Sequence, residues 1–253
     1  MNKVVLALLT HPDDSEFMCT GTLALLSQKR WEINIASMTP GDCGSMDKSR
    51  EEISKIRRAE GTKSAAILNA NYHCLECDDI FVMYDRPTLL KAIKLIRQVK
   101  PAIVFTASPD DYMVDHEMTS KVVWAACFAA GIPNVKTPGV KSYERIPHLY
   151  YADVFDGKDK LGKPLDTGFY VDIGSVIDTK TRMLCCHESQ RSWLLAHHGM
   201  DQYTATLKQL AKMRGKEIGI AYAEMFRQHR GHSFPQDNIL KTELGDLIHT
   251  KQK

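Results

Sequence analysis

Six consecutive apolar residues, Val4-Val5-Leu6-Ala7-Leu8-Leu9, run almost directly into His11-Pro12-Asp13-Asp14. An unbroken apolar run of this length reads as a strand buried on both faces, the kind found inside a parallel sheet. The imidazole and the two carboxylates then stand at its carboxyl end, where open α/β sheets place their ligands. A hard or borderline divalent cation needs nitrogen and oxygen donors converging from a rigid scaffold, so a third ligand is required from another loop.

Strand and helix patterns alternate along the chain that follows. Helices are predicted at 22–29, 50–68, 87–99 and 118–130, and strands at 33–38, 72–75 and 102–106. This βαβα order implies parallel pairing through right-handed crossovers, hence a three-layer α/β architecture: a Rossmann-like, mostly parallel sheet flanked by helices. Beyond Gly131 the texture turns to a Pro- and Gly-punctuated stretch, then strand-like segments at 148–155 and 168–173 and helical patterns at 175–186 and 201–226. No internal repeat, low-complexity segment or linker divides the chain. With 253 residues and 43% hydrophobic content, one domain spanning 1–253 is expected, its carboxyl-terminal third capping the same sheet.

The 33 basic and 31 acidic residues nearly cancel to +2, with no block of one sign to mark a nucleic-acid or membrane footprint. No run of about 18 apolar residues suggests a membrane span, and His11, Asp13 and Asp14 follow the first apolar run too closely for a cleaved leader. A cytoplasmic protein is the expectation. Seven scattered cysteines fit reduced thiols rather than a disulfide framework. The isolated Cys74-x-x-Cys77 pair, without a second pair at zinc-ribbon spacing, reads as ordinary strand-end residues. A nucleotide-binding Rossmann protein is disfavoured because neither G-x-G-x-x-G nor a P-loop follows the first strand.

Three loops fall on the predicted rim. The first is residues 11–16. The second, Thr39-Pro40-Gly41-Asp42-Cys43-Gly44, carries glycines that would let backbone N–H groups approach a substrate. The third, residues 108–116, ends on Asp115-His116 at a helix start. His116 is the natural third ligand, and Asp115 is placed to orient an imidazole. Two ligands from one loop and one from another, with a fourth position open, is the pattern of a catalytic zinc site. Spacing alone leaves open which of Asp13 and Asp14 binds metal, and an aspartate beside a helix start also serves as an N-cap. Glu16 and Glu224 are further polar candidates.

The motif His11-Pro12-Asp13-Asp14-x-Glu16 after an amino-terminal strand, with Asp115-His116 about a hundred residues on, resembles the LmbE-like, PIG-L-type N-acetylglucosamine deacetylase family. The resemblance extends to Gly41-Asp42-x-Gly44, Ile56-Arg57-Arg58-Ala59-Glu60, His187-Glu188-Ser189-Gln190 and Tyr222-Ala223-Glu224-x-Phe226-Arg227. It implies one zinc ion per chain, held by His11, Asp14 and His116, and hydrolysis of an acetamide on a small-molecule amino sugar by Asp13-assisted attack of zinc-bound water. It also implies that Arg57 contacts the sugar or an anionic appendage, and that the protein is a homo-oligomer, a trimer or hexamer. The donor set would equally accept iron, cobalt or manganese. One departure stands out: many members carry His-Pro-Asp-His where this chain has Met113-Val114-Asp115-His116. That first histidine is thought to help hold the oxyanion, and methionine cannot. Losing one such donor costs about 10²–10³ in turnover, so Tyr112, His187, His229 and His232 are candidates to replace it. Two alternatives follow: an amidase acting on a thiol-sugar or other conjugate, and a metal-binding homologue without deacetylase turnover.

Overall fold

The computed structural model describes residues 2–165, 168–191 and 202–251. Every residue of β1 (Val4–Leu9) is buried, as the apolar run requires of a central strand. It pairs in parallel with β2 (Glu32–Ser37) on one side and with β4 (Ile103–Thr106) on the other. The parallel set continues through β3 (Asn71–Cys74) beside β2 and β5 (His148–Ala152) beside β4. Three antiparallel strands complete the eight-stranded sheet in the order β3-β2-β1-β4-β5-β7-β6-β8, with β6 at Phe169–Asp172, β7 at Ala223–Gln228 and β8 at Ile248–Thr250.

Alternation along β1 divides the core in two. Val5, Ala7 and Leu9 join one apolar cluster with α2 (Thr20–Gln28) and α6 (Ile177–Leu184). Leu6 and Leu8 join another with α4 (Arg86–Val99) and α5 (Val114–Ala129). Helices therefore cover both faces, giving the three layers expected of a mostly parallel sheet. Between β2 and β3, α3 (Arg50–Ala66) is started by a capping box: Ser49 accepts from the Glu52 backbone while the Glu52 side chain accepts from Ser49 N.

After β1 the chain turns outward to β2 and β3, then returns to lay β4 on the other flank of β1. The loops leaving β1 and β4 at their carboxyl ends diverge, and a crevice opens there. Helix α5 begins at Val114, four residues before the predicted start, so Asp115 and His116 lie in its first turn.

The predicted helix at 201–226 is corrected. Helix α7 covers Gln202–Lys216; Gly219 then takes a positive φ of 77°, and residues 223–228 form β7 between β5 and β6. Ala223 and Met225 pack on one face of that strand while Phe226 packs on the other, a period-2 pattern obscured by the helical run before it. A short α8 (Ile239–Leu244) precedes β8. All seven cysteines are free thiols, and no helix among the described residues is long and apolar enough to cross a membrane.

Candidate functional site

The crevice between the β1 and β4 loops opens into a cavity of about 570 Å³. At its floor three acceptor atoms face one another. His11 Nδ1 lies 3.2 Å from His116 Nε2, and each of these nitrogens lies 3.5 Å from Asp14 Oδ2. With both imidazoles neutral and their N–H groups turned outward, three lone pairs would converge here and repel unless a proton or a cation stood among them. Metal–ligand bonds of 2.0–2.1 Å in a tetrahedron separate neighbouring ligands by about 3.3–3.4 Å, so the observed triangle fits one face of a zinc-sized coordination shell.

The atoms behind the triangle fix which nitrogens carry lone pairs. His11 Nε2 sits between Asp79 Oδ1 at 2.8 Å and Asp115 Oδ2 at 3.1 Å. His116 Nδ1 faces Asp111 Oδ1 at 3.2 Å. Each imidazole thus directs a protonated nitrogen at carboxylate and turns its other nitrogen inward, the arrangement that orients histidine ligands. Burial opposes the charged form of both rings, but the carboxylates around them raise each above its ordinary value of 6.5. Burial likewise opposes ionisation of Asp14, yet His116 and His11 hold it well below the usual carboxylate range. The backbone N–H groups of Thr10 and His11 donate to Asp14 Oδ2 at 3.2 and 2.7 Å, locking that oxygen in place.

Asp13 points elsewhere. It is the N-cap residue of α1 (Asp14–Met18), yet its side chain makes no capping bond. Its φ of 113° is a strained value for a non-glycine residue, and the carboxylate is held from two sides. Tyr203 Oη donates to Oδ2 at 2.6 Å, and Arg57 Nη2 to Oδ1 at 3.3 Å. Burial pushes Asp13 up and the Arg57 guanidinium opposes that rise. Burial and the neighbouring Asp13 charge push the Tyr203 phenol far up, so it remains a donor.

Arg57 lines the cavity but is only 4% exposed. Its Nη1 donates to Gly41 O at 3.2 Å and its Nη2 to Pro12 O at 2.7 Å, so the guanidinium ties the first two rim loops together. The glycines of the second loop make room for it. A Cβ on Gly41, where φ is +68°, would lie 2.3 Å from Arg57 Nη1, and one on Gly44 would lie 2.5 Å away. Close approach to a substrate was the expected reason for these glycines, and a buried arginine is the observed one.

Sequence reasoning did not single out Asp79, Asp111 or Tyr203. Asp79 follows β3 on the same rim; besides its contact with His11, it accepts from Cys43 N at 2.9 Å and Thr39 Oγ1 at 3.2 Å. Burial opposes its ionisation, and its hydrogen bond with His11 leads the groups that lower it to about 2. Its position past a strand end was the available signal. Tyr203 reaches Asp13 from 190 positions away, and no local pattern announces that.

Other candidates fall outside the triangle. Glu16 is buried, accepting from Ser64 Oγ at 2.5 Å and lying 3.3 Å from His187 Nε2. Glu224 belongs to a separate buried network. It accepts from the N–H groups of Gly21 and Thr22, each at 2.8 Å, and pairs with Lys180, which is 1% exposed. The Asp14 and Asp115 N-cap readings give way: the cap residues are Asp13 and Met113, and neither uses its side chain. Of the groups weighed against the departure at Met113, Tyr112 sits on the cavity rim, its ring 5.7 Å from that of His116. His187 is fully buried beside Glu16. His229 and His232 line a different groove, on the outer face of α5. Trp193, His197 and His198, residue types that could stack on or bind a sugar ring, lie outside the described residues.

The family profile "PIG-L: GlcNAc-PI de-N-acetylase" matches residues 6–127, which include His11, Asp13, Asp14, Arg57 and His116. A diacetylchitobiose deacetylase from Thermococcus kodakarensis is 28% identical over 233 residues, covering 89% of this chain and 82% of the relative. A 4-oxalmesaconate hydratase from Pseudomonas putida is 24% identical over 232 residues, covering 87% and 84%. Among solved structures, the N,N'-diacetylchitobiose deacetylase from Pyrococcus horikoshii superposes with a TM-score of 0.77 at 25% identity, covering 94% of this chain and 88% of that one. Residues 6–127 thus match the PIG-L (LmbE-like) family, and diacetylchitobiose deacetylases are among the homologues of the whole chain.

Proposed function

We propose that the chain is a zinc-dependent hydrolase that removes the N-acetyl group from an N-acetylglucosamine-type amino sugar or its conjugate. The observation that carries this reading is the triangle of His11 Nδ1, Asp14 Oδ2 and His116 Nε2, with edges of 3.2–3.5 Å, at the floor of an open cavity that Asp13 also lines. Its nearness to deacetylases in sequence and fold supports the same reaction.

His11, Asp14 and His116 would hold the ion, and Asp79, Asp111 and Asp115 would orient the two histidines. When bound, the ion supplies Lewis acidity, which brings water ionisation toward neutral pH and polarises a carbonyl. The remaining chemistry belongs to the chain. Asp13 accepts a proton as water oxygen bonds to the acetyl carbon. The carbon–nitrogen bond then breaks, and Asp13 returns the proton to nitrogen, releasing acetate and a free amine. A base that must also act as acid needs a fixed direction and an affinity near the operating range. Tyr203 and Arg57 fix the direction, and burial against Arg57 sets the balance of charge. Arg57 is thereby read as positioning Asp13 as well as lining the cavity. Methionine at 113 leaves the oxyanion donor to another group, and Tyr112, on the rim beside His116, is the described candidate.

The test is metal content of wild type and His116→Ala, paired with acetate release from N-acetylated glucosamine derivatives. About one metal per chain, lost in the variant, together with metal-dependent acetate release supports the reading. Metal without acetate shifts it to another amide or to a binding role, and absence of metal from the wild type refutes it.

A further inference from the structure

Resting on the reading of this site as one that opens an N-acyl sugar, we infer that its substrate is uncharged, and that the group attached to the reacting sugar is an uncharged ring seated on an apolar rim. Among the described residues, Arg57 is the only lysine or arginine lining the cavity. Its Nη atoms are directed to Pro12, Gly41 and Asp13, and its Nε is buried without a hydrogen-bond partner among the described residues. Arg191, next to Gln190, is not among the residues that line the cavity, and the sequence of residues 192–201 contains no lysine or arginine.

Against that one guanidinium stand three lining carboxylates, Asp13, Asp14 and Asp79. A divalent ion in the triangle together with Arg57 balances them and leaves no surplus positive charge for a phosphate or carboxylate on the substrate. Anion sites are built from arginine forks or from free N–H groups at helix starts. Here the first turn of α1 carries Asp14 and Glu16, and that of α5 carries Asp115 and Glu117. An anion entering this cavity would lose hydration without gaining a free cationic side chain among the described residues.

The rim is apolar instead. Ile80 and Tyr112 are 56% and 57% exposed at the mouth, with Met113 and Phe155 beside them. Ile80 has a φ of +70°, a conformation that β-branched residues rarely adopt. The backbone thus holds an aliphatic side chain outward at some cost, on a loop anchored by Asp79. Tyr112 and Phe155 stand 6.3 Å apart, ring centre to ring centre, and present faces suited to the apolar side of a sugar or aryl ring. Gln190 and Thr206 add neutral hydrogen-bonding groups.

The experiment uses the zinc-loaded full chain and compares kcat/KM for acetate release from N,N'-diacetylchitobiose, phenyl N-acetyl-β-glucosaminide and N-acetylglucosamine 1-phosphate at low salt. The two neutral substrates are expected to exceed the phosphate by at least about tenfold, the scale of a like-charge mismatch of roughly 1.4 kcal/mol. Ile80→Arg, which places a cation on the rim, is expected to narrow that gap at least about fivefold. A phosphate turned over as well as or better than the neutral pair overturns the inference. Should no substrate release acetate, the hydrolase reading fails, and calorimetric binding of the same three compounds still decides the charge question. Tighter neutral binding supports the inference, and equal or tighter phosphate binding overturns it.

Discussion

Replacing Asp111 by asparagine isolates what a carboxylate behind a histidine contributes to metal affinity. Asp111 Oδ1 faces His116 Nδ1 at 3.2 Å and also accepts from Met113 N at 3.2 Å. Asparagine keeps an oxygen for both contacts, so the start of α5 is retained while the negative charge is lost. Hydrogen bonds to charged groups contribute about 1.5–3 kcal/mol and neutral ones about 0.5–1.5. A separation of 3.2 Å is long for a charge-assisted bond, which puts the loss at the lower end, about 1.4 kcal/mol or tenfold in affinity. That agrees with the 10–100-fold typical of groups supporting a ligand histidine. His11 has two such carboxylates, at 2.8 and 3.1 Å, so Asp115→Asn alone, with Asp79 retained, is expected to cost less than Asp111→Asn. Chelator competition with zinc gives the dissociation constants, and thermal melting of the metal-free proteins checks the fold. A dissociation constant within twofold of wild type refutes the reasoning. So does a loss of affinity matched by collapse of the metal-free melting temperature, because the loop rather than the imidazole would then be responsible.

Asp13→Asn should lower turnover by about 10²–10⁴ while metal stoichiometry stays at the wild-type value, since Asp13 lies outside the ligand triangle; elemental analysis beside acetate release separates the two effects. Metal affinity should fall with pH. The metal-free protein holds both His11 and His116 protonated above their ordinary 6.5, so the cation begins to compete with protons above that value and loses affinity as pH drops further; dissociation constants at pH 8, 7 and 6 test this. Lys180→Met leaves the Glu224 carboxylate buried against three donors and no cation, and should destabilise the fold by about 3 kcal/mol, the low end for breaking a buried pair. Urea unfolding measures that cost, and an unchanged zinc affinity in the same variant would show that Glu224 stands apart from the site.

The parallel half of the fold was legible because each of its elements carries its own periodicity. A fully apolar β1, an amphipathic α4 ahead of β4, and Ser49 and Glu52 at the head of α3 are local signals that the sheet then obeys. The antiparallel half was less so. Residues 223–228 follow a strong helical pattern, and their strand identity is conferred by pairing with β5 and β6, which are distant in sequence. At the site, the β1 and β4 loops could be read from the position of His, Asp and Asp-His at strand ends. The carboxylates behind the histidines and the phenol beside Asp13 were hidden because long-range packing selects them from many equivalent side chains. Gly41 and Gly44 show the same limit: the sequence reveals that space is needed, and the structure reveals that Arg57 fills it.

The ligand triangle also has a temporal meaning. His11 and His116 are separated by 105 positions, yet their nitrogens meet at 3.2 Å because β1 and β4 are neighbours in the sheet. No amino-terminal fragment ending before α5 contains the third donor, and a chain in which β4 has not docked against β1 keeps His11 and Asp14 apart from His116. With His11, Asp14 and His116 as the proposed ligands, tight cation capture would report a single folding event, the closing of β4 onto β1. Time-resolved zinc uptake during refolding would clock the central strand pairing of the sheet without any label on the chain.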